Sequence, residues 1–169
     1  LISEIIIEGL EDHPDKESLE ELSYDAMLIR PGSKVTEKEV EKDLNRIYST
    51  GWFAGASVKS LDSPLGVQLL INVKPNPVLT KINILPVEKK VPNNKLEEIF
   101  ADDYGKTLNL NTLKNRIKEI KEWYNSKGYS IARIPTNLIR VTNSGIVQIK
   151  IIEGLVAGIE ISFIDEDGN

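Results

Sequence analysis

A chain of 169 residues has room for one ordinary domain or two small ones, and 40% hydrophobic with 28% charged residues describes a folded protein. A formal charge of −5 with dispersed lysines makes phosphate backbones poor partners, so nucleic acid is not expected. The absence of cysteine excludes disulfides, thiol nucleophiles and cysteine-held zinc, and the longest apolar runs fall far short of the about 20 residues of a membrane-crossing helix.

The chain opens on a strand-like run, Leu1-Ile2-Ser3-Glu4-Ile5-Ile6-Ile7, with no signal peptide before it. It therefore reads as an excised fragment or a mature segment whose anchor lies outside it. Leu19 to Ile29 is weakly helical, and Pro31-Gly32 breaks the chain. Thr36 with Glu39 forms a capping box, and the helix that follows sets Val40, Leu44 and Ile47 on one face before Gly51 ends it. Phe53–Lys59 and Val67–Val73 make a hairpin around Asp62-Ser63-Pro64-Leu65-Gly66.

The order then repeats. Ile82 and Ile159 lie 77 and 154 residues after Ile5, and Ile84 and Ile161 follow Ile7 at the same intervals. Ile82-Asn83-Ile84 alternates as a half-buried strand does. Leu96, Ile99 and Phe100 give a short helix, and Gly105 breaks it. Asn111 or Asn109 caps a longer helix carrying Leu113, Ile117, Ile120 and Tyr124, and Gly128 ends it one turn later than in the first copy. Tyr129–Ile134 and Ile146–Ile152 form the second hairpin. The expected fold class is α+β: two β-α-α-β-β modules at 1–76 and 77–154, with 155–169 supplying the first strand of a third. Lys74-Pro75-Asn76-Pro77 is a short, stiff joint, because proline fixes φ and lacks an N–H; Glu153-Gly154 is its more permissive equivalent.

The inventory gives little chemistry. His13, in Glu11-Asp12-His13-Pro14-Asp15, is the only histidine, so a multi-histidine metal site is impossible; a His-Asp pairing with Ser18 or Ser23 is conceivable, but a solvated loop residue is the expectation. Asp102-Asp103, Glu97-Glu98 and Asp165-Glu166-Asp167-Gly168 lack the spacing of a catalytic pair or a calcium loop. Lys114, Arg116, Lys118, Lys121 and Lys127 make a basic helix interleaved with Glu119 and Glu122, which reads as an ordinary charged face. Trp52, Phe53, Trp123, Tyr124 and Tyr129 gather at helix-to-strand corners, where packing is the simpler reading and a partner-facing patch the other. No catalytic residue, metal or cofactor is expected.

The runs Tyr48-Ser49-Thr50-Gly51-Trp52-Phe53 and Trp123-Tyr124-Asn125-Ser126-Lys127-Gly128-Tyr129, set in the repeated order strand, glycine, helix, hairpin, resemble the POTRA domain. POTRA domains form the soluble arms of outer-membrane β-barrel insertases. Pro75-Asn76-Pro77-Val78-Leu79 and Tyr104-Gly105-Lys106-Thr107-Leu108-Asn109-Leu110 look most like the cyanobacterial and chloroplast import-channel branch. The resemblance implies a three-stranded sheet with two helices on one face, and a place on the periplasmic side of the outer membrane or its plastid equivalent. It implies binding of unfolded outer-membrane precursors, with accessory assembly or chaperone subunits and the parent's C-terminal barrel as further partners. It also implies that the second strand is a sheet edge. Here that means Gly55, Ala56, Ser57, Val58 and Lys59, then Ser130, Ile131, Ala132, Arg133 and Ile134. A client strand pairing there would be held by main-chain bonds largely independent of its sequence. The alternative is a docking platform for accessory subunits or the parent barrel, without direct client contact.

Overall fold

The architecture is that of a computed structural model, which describes residues 1–129 and 132–153. The chain resolves into two compact units, one formed by Leu1–Pro77 with Thr107–Thr112, the other by the remaining residues from Val78 on.

In the first unit β1 (Ile2–Glu8), α1 (Lys16–Ala26), α2 (Glu37–Ser49), β2 (Phe53–Ser63) and β3 (Gly66–Pro75) follow in order, and the sheet runs β1-β3-β2. β3 is central, parallel to β1 and antiparallel to β2. Its alternation decides which face is covered. Leu69, Ile71 and Val73 are buried, while Leu70, Asn72 and Lys74 turn to the helix-free face. Ile5 and Ile7 lie opposite Leu69 and Ile71, so β1 contributes to the same layer. Leu19 from α1 and Ile47 from α2 close the core over Phe53 and Ile71. Full burial of such side chains contributes about 1.5–3 kcal/mol each.

The capping box at the start of α2 is formed: Thr36 Oγ1 accepts from Glu39 N at 3.2 Å, and Glu39 Oε1 accepts from Thr36 N at 2.9 Å. Arg46 in the last turn complements the helix dipole.

The second unit holds β4 (Lys81–Leu85), α3 (Asn93–Phe100), most of α4 (Leu110–Ser126), β5 (Arg140–Val141) and β6 (Ile146–Lys150), with strand order β4-β6-β5. Leu113, Ile117, Ile120 and Tyr124 form the buried stripe of α4. α4 is four residues longer than α2, just over one turn. Asn109, not Asn111, is its cap: Asn109 Oδ1 accepts from Asn111 N at 2.8 Å and Thr112 N at 3.2 Å.

One latch recurs in both units. Ile2 N donates to Ser33 O and Gly32 N donates to Ile2 O; Leu79 N donates to Lys106 O and Gly105 N donates to Leu79 O, all at 2.7–2.9 Å. The glycines sit at φ of 94° and 78°, a conformation that other residues adopt only with strain. The interhelical glycine thus ties the start of β1, and the segment just before β4, to the loop between the helices of the same unit.

The second hairpin departs from the expectation. Of the expected strand Tyr129–Ile134, the described residues Ala132–Ile134 form no regular strand. Arg133 makes one isolated antiparallel bridge with Ile152, and Arg140 next meets Gln148. Pro135 has no N–H to donate, and the chain leaves the ladder through a 3₁₀ turn at Thr136–Leu138. The regular pairing that remains, β5, is two residues long.

Candidate functional site

The expected binding strand of the first unit is in place. Gly55, Ala56, Ser57, Val58 and Lys59 lie on β2, opposite Lys74, Val73, Asn72, Ile71 and Leu70. Among the described residues β2 has a strand neighbour on its β3 side alone, so its other edge carries main-chain donors and acceptors without a sheet partner there. Ala56 and Val58 pack toward the core on the helix side, and Ser57 and Lys59 are exposed. A groove of about 420 Å³ lies between this sheet and the start of α2. Val35, Val40, Val58, Val67 and Leu69 give it an apolar lining, and Glu37 and Glu41 line it as well.

The second expected strand is only partly described, and what is described is irregular. Ser130 and Ile131 lie outside the described residues. Ala132 is half-buried, and Arg133 N and O both pair with Ile152, at 2.7 Å each. Ile134 is 3% exposed, so its side chain belongs to the core. Arg133 thus spends its main-chain pair on the inner, β6 side, and Pro135, which has no N–H, interrupts any longer template.

Of the joint residues, Pro75 ends β3 and Pro77 ends the main segment of the first unit. The sequence reading passed over Asn76 between them. It is 4% exposed, and its main-chain N–H and C=O and its side-chain NH2 are all bonded. Its N–H donates to Trp52 O at 2.9 Å, its amide donates to Gly51 O at 2.9 Å and Leu108 O at 3.2 Å, and its carbonyl accepts from His13. Glu153 accepts from Tyr124 Oη and from Lys90 N, each at 2.6 Å, so it clamps the second unit internally. Burial, then the bond to Glu153, pushes the Tyr124 phenol above its ordinary pKa. Gly154 and the expected third-module strand at 155–169 lie outside the described residues.

His13 is a structural residue, half-buried and not a solvated one. Asp15 N donates to its Nδ1 at 3.0 Å, which leaves the proton on Nε2 to donate to Asn76 O at 2.9 Å. Ser23 Oγ donates to Leu19 O instead, so no His-Ser dyad forms. Asp103 is held bidentately by Arg116, at 2.8 and 3.0 Å, which takes both out of the candidate carboxylate and basic-face sets. These bonds and the one to Glu119 raise the Arg116 pKa. The aromatic corners pack inward: Phe53 and Tyr124 are buried, and the Trp123 and Tyr129 rings meet Tyr124 edge-on. Among the described residues no three acidic or histidine side chains converge as metal ligands, and no helix is long and apolar enough to cross a membrane.

Two helices on one face of a β1-β3-β2 sheet, given twice, define a tandem POTRA arrangement. Residues 1–76 match the POTRA family described as surface antigen variable number repeat, and residues 78–154 match the ShlB-type POTRA domain. The chain superposes on POTRA1-2 of the periplasmic domain of Omp85 from Anabaena with a TM-score of 0.79 and 33% identity, covering 91% of this chain and 95% of that one. The N-terminal domain of Omp85 from Thermosynechococcus elongatus gives a TM-score of 0.81 at 34% identity, over 91% of this chain and 63% of that one. The chain is 30% identical to outer envelope protein 80, chloroplastic, of Arabidopsis thaliana and 28% identical to its namesake in Oryza sativa, over 98% of its own length. It spans 22% and 24% of those two proteins. The chain belongs to the POTRA family, as a tandem pair of the Omp85 type. Its relatives place it on the periplasmic side of an outer membrane or in the equivalent plastid envelope compartment.

Proposed function

We propose that this POTRA pair is a non-catalytic receiving arm of an outer-membrane assembly or translocation protein, and that it binds unfolded precursor polypeptides by strand addition at β2. The observation that carries the reading is the bare edge of β2 beside the 420 Å³ groove. A client strand added there would bond through its main chain, and every second side chain would enter the groove against Val40 and Val58. Main-chain pairing suits a receptor for many sequences. The polar inventory supports a binding role as well, since His13, Asp43, Asp103 and Arg116 are all engaged in holding the fold.

The arm would hold a client before it reaches a membrane barrel in the parent protein. The Pro75-Asn76-Pro77 joint would limit how far the two modules swing, with accessory subunits engaging other faces.

The test is an NMR titration of the isotope-labelled chain with an extended precursor peptide. The reading predicts shifts along Gly55–Lys59. Methylating the amides along one edge of the peptide should abolish them, and methylating the other edge should not. Equal binding by both methylated peptides would refute main-chain pairing.

A further inference from the structure

The sheet of the first unit has a second outer edge, β1, latched to the interhelical loop at Ile2 and without a strand partner among the described residues, and its surroundings differ from those of β2. A groove of about 550 Å³ runs between β1 and α1. Ile5 and Ile7 form its apolar side, and Glu17, Glu20, Glu21 and Tyr24 form the other. These four lie at i, i+3, i+4 and i+7 on α1, one continuous stripe, while Leu19 and Ser23 turn to the core. The three glutamates are exposed, and among the described residues none of them takes part in an ion pair. Tyr24 already carries a guanidinium, Arg30, 4.2 Å from its ring centroid.

The spacing suits an extended chain. Alternate side chains of a strand recur every ~6.8 Å. On a helix, residues three and four apart recur every ~4.5–6 Å. A strand laid along β1 would therefore bring one helix-side residue near Glu17 and the next near the Glu20–Glu21 pair. Each would keep its stem on Ile5 or Ile7 and its tip among carboxylates. Lysine and arginine have that shape: an apolar stem with a cationic end.

We infer that the β1–α1 groove is a second polypeptide-binding site, selective for extended segments with lysine or arginine at alternate positions. This deepens the reading above and rests on strand addition as the mode of recognition. The two edges would then sort clients, with β2 taking strands of any charge and β1 taking cationic ones.

The test titrates the labelled 169-residue chain with three peptides of equal length, alternating Lys-Val, Glu-Val and Ser-Val. The Lys-Val peptide should shift Ile5–Ile7 and the Glu17–Tyr24 amides, and the Glu-Val peptide should not. The triple variant Glu17→Gln, Glu20→Gln, Glu21→Gln should weaken Lys-Val binding at β1 about ten-fold, as three exposed charge pairs would, and leave Ser-Val shifts at β2 unchanged. Equal β1 binding of Lys-Val and Glu-Val, Lys-Val binding confined to Gly55–Lys59, or unchanged β1 affinity in the triple variant would overturn the inference. The Ser-Val shifts at β2 report separately on the function proposed above.

Discussion

Asp43 and Arg116 occupy the same place in the two units, each seven residues beyond its helix cap, and do one task with opposite charge. Asp43 is 1% exposed and accepts from Leu28 N and Ile29 N at 2.9–3.1 Å and from Arg46 at 2.6 Å. Arg116 donates to Asp103 in the matching loop and to Glu119, the counterpart of Arg46, at 2.8–3.0 Å. Each fixes the interhelical loop to the second helix of its own unit. The repeat conserves the strut and inverts its sign.

Asp43→Ala would leave one buried and one part-buried main-chain donor, Ile29 N and Leu28 N, without an acceptor, and should cost about 2–3 kcal/mol in urea unfolding of the first unit. Arg116→Met should cost the second unit less, about 1–2 kcal/mol, because Asp103 is 17% exposed and can be rehydrated. Equal losses would mean that burial does not set the difference.

Gly66 and Gly145 close the hairpins at φ of 133° and 88°, and a Cβ on either would run into a main-chain carbonyl, that of Leu1 or Val78. Gly32 also has positive φ, but open space around it. Gly145→Ala and Gly66→Ala should each lower the Tm by several degrees more than Gly32→Ala, whose cost of about 1–2 kcal/mol is conformational alone.

Tyr124 makes stability depend on alkaline pH. Its folded pKa is raised, chiefly by burial and then by the Glu153 bond, so the folded state holds the proton more tightly than the unfolded chain does. The resulting stability is fully present below the ordinary tyrosine pKa of about 10 and is lost as pH rises through the folded value. The unfolding free energy followed from about pH 9 upward should fall more steeply for the native chain than for Tyr124→Phe. Parallel curves would refute the assignment.

Pro75→Gly with Pro77→Gly should broaden the distribution of distances between spin labels placed one on each module, since two fixed φ angles are released. An unchanged distribution would assign the stiffness to other residues, Asn76 first among them.

Much of this was legible in the chain. The 77-residue spacing of Ile5 and Ile82, the Thr36–Glu39 box and the stripe from Leu113 to Tyr124 are carried by the sequence itself, and they locate the helices and the succession of elements along the chain. The first departure is a missed local signal, and the others are non-local. Ser130–Ile134 alternates as a strand should, yet Pro135 two residues past Arg133 breaks the ladder, and Ile134 turns into the core. His13 looked like a loop residue because its partner, Asn76, is 63 residues away. Asn76 was hidden by its neighbours, since two flanking prolines suggest a solvated linker. The β1 groove was unreadable for a related reason: Glu17, Glu20 and Glu21 are an ordinary acidic stripe until the fold lays them beside an open strand.

The central claim is that β2 receives the client directly. The most direct measurement places a photo-crosslinking residue at Val58 in the parent protein while it is engaged with a stalled precursor. The account predicts an adduct between Val58 and the precursor that disappears when the precursor is chased into the membrane. Adducts with assembly subunits alone, and none with precursor, would contradict it and make this face a docking platform.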